Sequence, residues 1–211
     1  MSARLVSVNL AVVRTGAWTG DMGSTGIDKR PTTERVRAGR LGLVGDTIVD
    51  TRHHGGVDQA VYAYAREDAA WWARELGREA PPGRFGENLS TEGLDVTGAV
   101  IGERWEIGGA LLEVSCPRIP CRVFAGFWDV PDLIKRFTAR AWPGAYLRVL
   151  REGALGAGDA IGVVRRPAHG VTIGEAFRAL TTEADLLPRL LEASELPSEA
   201  HETARRRQGV G

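Results

Sequence analysis

The apolar residues of this chain come in short runs, and glycine or another turn former breaks nearly every one. Val6, Val8, Leu10 and Val12 alternate with Ser7, Asn9 and Ala11, the period-two pattern of a half-buried strand. Further short segments stand at Arg35–Val36, Leu41–Val44, Ala60–Ala65, Ala99–Ile107, Ala110–Val114, Ala145–Leu150 and Asp159–Val164. Strands this short, separated by glycine, predict a barrel or sandwich rather than βαβ units.

Helical spacing is sparse in this region. Ala69, Trp72, Ala73 and Leu76 share one face, with Glu67 and Asp68 in the first turn and Gly77 at the stop. A second helix is predicted over Pro131–Arg140. After Pro167 the texture changes to three short helices around Ile173–Leu180, Glu183–Ala193 and Ser198–Arg207. Leu186, Leu187, Leu190 and Leu191 form a stripe there, and Thr182 and Ser198 read as N-caps. The expectation is a mainly β domain over residues 1–166 and a small three-helix appendage over 167–211, with the final RRRQGVG frayed.

At 211 residues and 43% apolar content, the chain can bury a core without disulfides. Lys+Arg and Asp+Glu balance at 27 each, so bulk charge gives no reason to expect a nucleic-acid polymer or a membrane as partner. An anion site must therefore be local. The N-terminal stretch has no separate basic region and no long apolar run; it reads as a strand, and a cytoplasmic location is expected. In a reducing compartment the two cysteines are expected to be free thiols.

Both cysteines lie in SCPRIPC, residues 115–121. Their spacing does not match common zinc ligand pairs. Pro120 stiffens the backbone before Cys121, while Arg118 and Arg122 would favour a thiolate there. The alternative is two buried thiols acting as small apolar residues, the reading preferred for Cys116. A second stretch, HHGGVDQAVYAY, places His53 and His54 at a Gly-Gly turn before Asp58, with Asp46 and Asp50 upstream. A histidine beside carboxylates can serve as a general acid or base, or the loop can simply close one end of the fold. In a third, PPGRFGENLSTEGL, Gly83 and Gly86 bracket Arg84-Phe85 ahead of Glu87-Asn88, giving backbone and side-chain donors for an anion.

In this order, HHGGVDQAVYAY, PGRFGENLSTEGL, IGERWEIGGALLEVSCPRIPC and the GAGDAI turn resemble a MOSC domain, named for the C-terminal part of molybdenum-cofactor sulfurase. The resemblance is to stand-alone bacterial members of the YiiM type. It spans roughly Arg4 to Arg165, and the tail resembles the three-helix segment those members append. It implies a β-barrel core and a pterin-bound molybdenum cofactor. It also implies reduction of N-hydroxylated compounds such as hydroxylaminopurine bases. Cys121 falls on the family's motif cysteine, the molybdenum ligand. Lys29, His54, Gly55, Asp58, Phe85, Gly86, Glu87, Asn88 and Arg118 match as residues that bind or shape the cofactor pocket. His54, Asp58 or Glu87 would then protonate the leaving oxygen. Cys116 departs from the motif, where glutamine is common. With only two cysteines and no G-x-G-x-x-G unit, electrons are expected from a separate reductase or thiol donor. A monomer or homodimer is compatible with this reading. Two alternatives remain: a cofactor or sulfur carrier without turnover, and a thiol hydrolase pairing Cys121 with His54 or His169.

Overall fold

The structure, a computed structural model, describes residues 2–51 and 54–208; His53 of the HHGG run and residues 209–211 of the tail lie outside them. The strands are β1 (Arg4–Ala11), β2 (Arg14–Thr15), β3 (Ser24–Thr25), β4 (Lys29–Thr32), β5 (Val36–Gly39), β6 (Gly42–Leu43), β7 (Val61–Ala65), β8 (Leu89–Glu92), β9 (Arg104–Ile107), β10 (Ala110–Pro117), β11 (Ala145–Arg151), β12 (Gly153–Leu155) and β13 (Ile161–Arg165). The helices are α1 (Arg66–Leu76), α2 (Arg122–Trp128), α3 (Leu133–Arg140), α4 (Ile173–Thr181), α5 (Leu187–Leu190) and α6 (Ser198–Gln208). Helices take about as much of the chain as strands, so the fold is mixed rather than mainly β. The unforeseen helix α2 has only seven residues and follows a proline, too little sequence to show a helical period.

Eight strands form one sheet in the order β13-β9-β10-β11-β7-β8-β1-β4. All neighbours are antiparallel except β7 and β8. Among the described residues no continuous ladder closes this sheet into the expected barrel. A single bridge, Arg4 to Ala160, ties the start of β1 to the start of β13, helped by Leu5 N–H donating to Asp159 O at 2.8 Å. β12, β5 and β6 make a small second sheet, and β2 and β3 a short ribbon.

The alternation read in β1 is interrupted. The pairing with β8 slips between Leu5 and Ser7, leaving Val6 as the extra residue of a bulge. Leu5 and Val8 therefore both enter the main core, and Ser7 and Asn9 are buried on the other face. Ser7 Oγ donates to Asn9 Oδ1 at 2.6 Å, and Asn9 Nδ2 donates to Glu87 O at 3.1 Å, so the polar pair is satisfied.

Two cores result. One lies on the aliphatic face of the sheet and includes Ile173, Phe177's neighbours Ala176 and Ala179, Leu187, Leu190 and Ala204 from the C-terminal helices. The other is aromatic, built from Tyr62, Tyr64, Trp72, Phe85, Phe124, Trp128 and Phe137. α4 is capped by Thr172, whose Oγ1 accepts from Glu175 N–H at 3.1 Å. Thr182 is the C-terminal cap of that helix rather than the N-cap of the next, because its N–H donates back to Arg178 O. No helix among the described residues is long and apolar enough to cross a membrane.

Candidate functional site

SCPRIPC runs from the end of β10 to the start of α2. Cys116, still in the strand, is sealed in the aliphatic core, and burial pushes its thiol up to about 11. The two prolines then carry the chain out of the sheet. Cys121 becomes the N-cap of α2, half-buried, with an extended backbone. The two thiols are thus separated by function of place: one is core, the other faces a cavity.

That cavity has a volume of about 840 Å³. Residues 17–21, 24–27, 47–50, 54–55, 85–86, 88 and 118–123 supply most of its wall, and Gln59, Tyr62 and Tyr146 also line it. Lys29, His54, Gly55, Phe85, Gly86, Asn88, Arg118 and Cys121 all line it, although they come from four separate stretches of chain.

Burial alone would raise the Cys121 thiol. A hydrogen bond from His54, the charge of Arg118 and the N–H of Phe124 outweigh it and bring the thiol down to about 7. Arg122, at the exposed rim, is not among the groups that lower it. Arg118 is 5% exposed. Its guanidinium stacks 4.1 Å from the centre of the Phe124 ring, and it has no carboxylate partner among the described residues. Its Nη1 is buried without an acceptor. A buried guanidinium in that state is costly unless an anion meets it.

Lys29 is different. Its Nζ lies 2.5 Å from Asp46 Oδ2, and both side chains are buried. Burial lowers the lysine's pKa, opposed by Asp46. Asp46 also accepts from Asn88 Nδ2 at 2.8 Å and from Ala11 N–H at 2.8 Å. Asp46 thus fixes Lys29 and Asn88 in the cavity wall and neutralises the lysine there, a pairing the sequence did not reveal because the partners are 17 residues apart. Of the buried cations that line the cavity, Arg118 is the one without a carboxylate partner among the described residues.

Two predicted residues do not reach the cavity. Asp58 pairs with Arg148, and its carbonyl accepts from Ser115 Oγ. Glu87 is fully buried behind the wall. Its carboxylate accepts from Gly83 N–H at 2.7 Å, Phe85 N–H at 2.9 Å and Ser90 Oγ at 2.7 Å. It is therefore the internal clamp of the Gly83–Gly86 turn rather than a proton donor to a ligand. That turn is tight against β4: a Cβ at Gly83 would stand 2.0 Å from Lys29 O, and its φ is +86°. Of the three candidate acids, only His54 faces the cavity.

A cavity of this size suits a cofactor-sized ligand. The donor set also fits a pterin-bound molybdenum group: a soft thiolate, a buried guanidinium that bonds Tyr146 but whose Nη1 has no acceptor among the described residues, and a buried amide oxygen on Gln59 with no donor among them. Trp18, Gln59 and Tyr146 were missed from sequence; Trp18 was the one large aromatic in a run of turn formers, TGAWTGDMGSTG.

The chain matches the MOSC domain over residues 50–162. It belongs to the MOSC domain family. Escherichia coli YiiM is 33% identical over 177 residues, covering 81% of this chain and 79% of YiiM. The crystal structure of YiiM from Geobacillus stearothermophilus superposes with a TM-score of 0.82 at 28% identity, over 99% of this chain and all of that one. A Gibberella moniliformis protein named "Reductase" is 29% identical over 197 residues, 92% of this chain but 35% of its own length. The matched MOSC segment carries His54, Glu87, Arg118 and Cys121, while Lys29 and Trp18 precede it.

Proposed function

We propose that this MOSC protein binds a pterin-bound molybdenum cofactor through Cys121 and reduces N-hydroxylated compounds, of the hydroxylaminopurine type, with electrons from a separate reductase. The observation that carries the reading is the meeting, in one cavity, of a thiol held at about 7 with a buried guanidinium that has no carboxylate partner among the described residues. When bound, the molybdenum centre supplies two electrons to the N–O bond. Cys121 would be the protein's ligand to the metal, and Arg118 would meet anionic atoms of the bound group. Lys29 and Asn88, fixed by Asp46, would contribute directed donors. His54, hydrogen-bonded to Cys121, is the group positioned to pass a proton to the departing oxygen. The aromatic walls limit water around the reacting bond.

The name of the Gibberella relative supports reductive chemistry, and the two-thirds of that protein without a counterpart here are consistent with electrons arriving from another unit. We further read the sheet and its Arg4–Ala160 tie as a barrel-like core with a helical C-terminal segment, and the protein as cytoplasmic. The second reading is a carrier that holds the cofactor or a persulfide on Cys121 for another enzyme; the position of Cys121 on an open cavity, not sealed in the core, favours such hand-over.

The test is metal analysis of wild type and Cys121→Ala from a molybdate-fed host that makes the cofactor, with 6-N-hydroxylaminopurine reduction on the same samples. Molybdenum near one per chain, lost in the variant, with turnover, is the expected result. Molybdenum without turnover points to the carrier. Full molybdenum in Cys121→Ala refutes the ligand assignment.

A further inference from the structure

Residues 14–25 form a strap. β2 and β3 pair at its base, Arg14 with Thr25 and Thr15 with Ser24. Its tip is a 3₁₀ turn over Ala17–Met22, and the tip lies on α2, the helix that Cys121 caps. Trp18 makes that junction. Its ring lies 5.9 Å from the ring of Phe127, and its backbone rests on Gly126. A Cβ at Gly126 would stand 2.9 Å from Trp18 Cβ and 3.2 Å from Trp18 O, so α2 carries a glycine where the strap crosses it. Phe127 is itself held from behind by Arg84, whose guanidinium is 4.2 Å from its ring centre. Thr19, next to Trp18, is 2% exposed and its Oγ1 donates to Gly16 O at 2.7 Å, which pins the tip.

The indole is therefore a braced surface and not a loose side chain. It also lines the cavity, as do Tyr62 of β7, Phe85 of the Gly83–Gly86 turn and Tyr146 of β11. Burial keeps the Tyr62 and Tyr146 phenols neutral, with Tyr62 well above its ordinary value and Tyr146 at about 12. The Tyr62 hydroxyl is already committed to Pro143 O at 2.7 Å. What these walls offer a ligand is flat apolar area.

We propose that Trp18 is a specificity-determining residue: it is the platform on which the planar ring of a heteroaromatic ligand stacks, and it favours such ligands over acyclic N-hydroxylated ones. This rests on the reading of the Cys121 cavity as the reduction site. No charge is needed from the strap, because a stacked ring gains from polarizable contact and from water released from both faces.

The experiment uses cofactor-loaded wild type, Trp18→Ala and Trp18→Phe. Binding of 6-aminopurine, the product of hydroxylaminopurine reduction, is measured by equilibrium dialysis, alongside molybdenum per chain. kcat and KM are measured for 6-N-hydroxylaminopurine and for N-methylhydroxylamine. Trp18→Ala is expected to weaken 6-aminopurine binding about tenfold, the loss that follows removal of a base–aromatic stack. It should raise KM for the purine with kcat little changed, leave molybdenum as in wild type, and have a much smaller effect on N-methylhydroxylamine, which has no flat ring to stack. Trp18→Phe should recover most of the purine affinity. Unchanged 6-aminopurine affinity in Trp18→Ala, equal losses for both substrates, or no purine binding by wild type overturns the proposal. If loaded wild type reduces neither substrate, the reductase reading falls, and the dialysis result still decides the role of Trp18.

Discussion

The state of Cys121 gives the sharpest prediction, because it can be measured on protein without cofactor. Its thiol falls from an ordinary 9.0 to about 7 although burial works against it. That fall corresponds to about 3 kcal/mol of preference for the thiolate. The groups responsible are His54, Arg118 and the Phe124 N–H, in that order, so His54→Ala removes the first of them. The assay is the rate of alkylation by iodoacetamide against pH, with peptide mapping to separate the two cysteines. Wild type should react at Cys121 with a midpoint near pH 7, and Cys116 should stay unmodified below pH 10 in the folded protein, since burial holds it at about 11. His54→Ala should move the Cys121 midpoint upward by at least half a pH unit. The sign also carries into stability. The folded value lies below the unfolded one, so the contribution is complete above pH 9 and is lost as pH falls to about 7. The stability advantage of wild type over Cys121→Ser should therefore grow by up to about 3 kcal/mol across that window. A wild-type midpoint near 9, or one that His54→Ala leaves in place, refutes the assignment of the thiolate's partners.

Glu87→Ala should destabilise by about 3–5 kcal/mol in urea unfolding, because it leaves the N–H groups of Gly83 and Phe85 buried without an acceptor. Catalytic losses in that variant should follow the loss of folded protein. Lys29→Met should cost about 3 kcal/mol by stranding Asp46, and adding Asp46→Asn should restore about half, as a double-mutant cycle would read.

Most strands were legible because their apolar residues alternate or cluster between glycines, as in β7, β10 and β11. β4 and β8 were not, since KRPT and LSTE carry little apolar signal; they are strands because β1 offers both of its edges to them. The bulge at Val6 was invisible for a related reason: one inserted residue changes which face each side chain takes without changing composition. At the site, the motif residues with a distinctive local chemistry, Cys121 with Arg118 and His54 with Gly55, were found together in the cavity wall. Glu87 looked the same in sequence as a catalytic carboxylate, and only its three inward donors mark it as a clamp. Asp46 and Trp18 act through contacts with distant segments, which no local pattern reports.

The tie between β1 and residues 159–161 sets an order on biosynthesis. Leu5 and Ala3 exchange backbone bonds with a segment made more than 150 residues later, while Ile101 N–H donates to Val171 O and Ile173 N–H, at the start of α4, donates to Ala99 O. While the ribosome is still making the last helices, the aliphatic face that Ile173, Leu187 and Leu190 will cover is open to water. Nearly the whole chain must leave the exit tunnel before that face can close. Until then that apolar face is open to contact with other unfolded chains, so the yield of folded protein depends on how quickly residues 173–204 follow the sheet out of the ribosome.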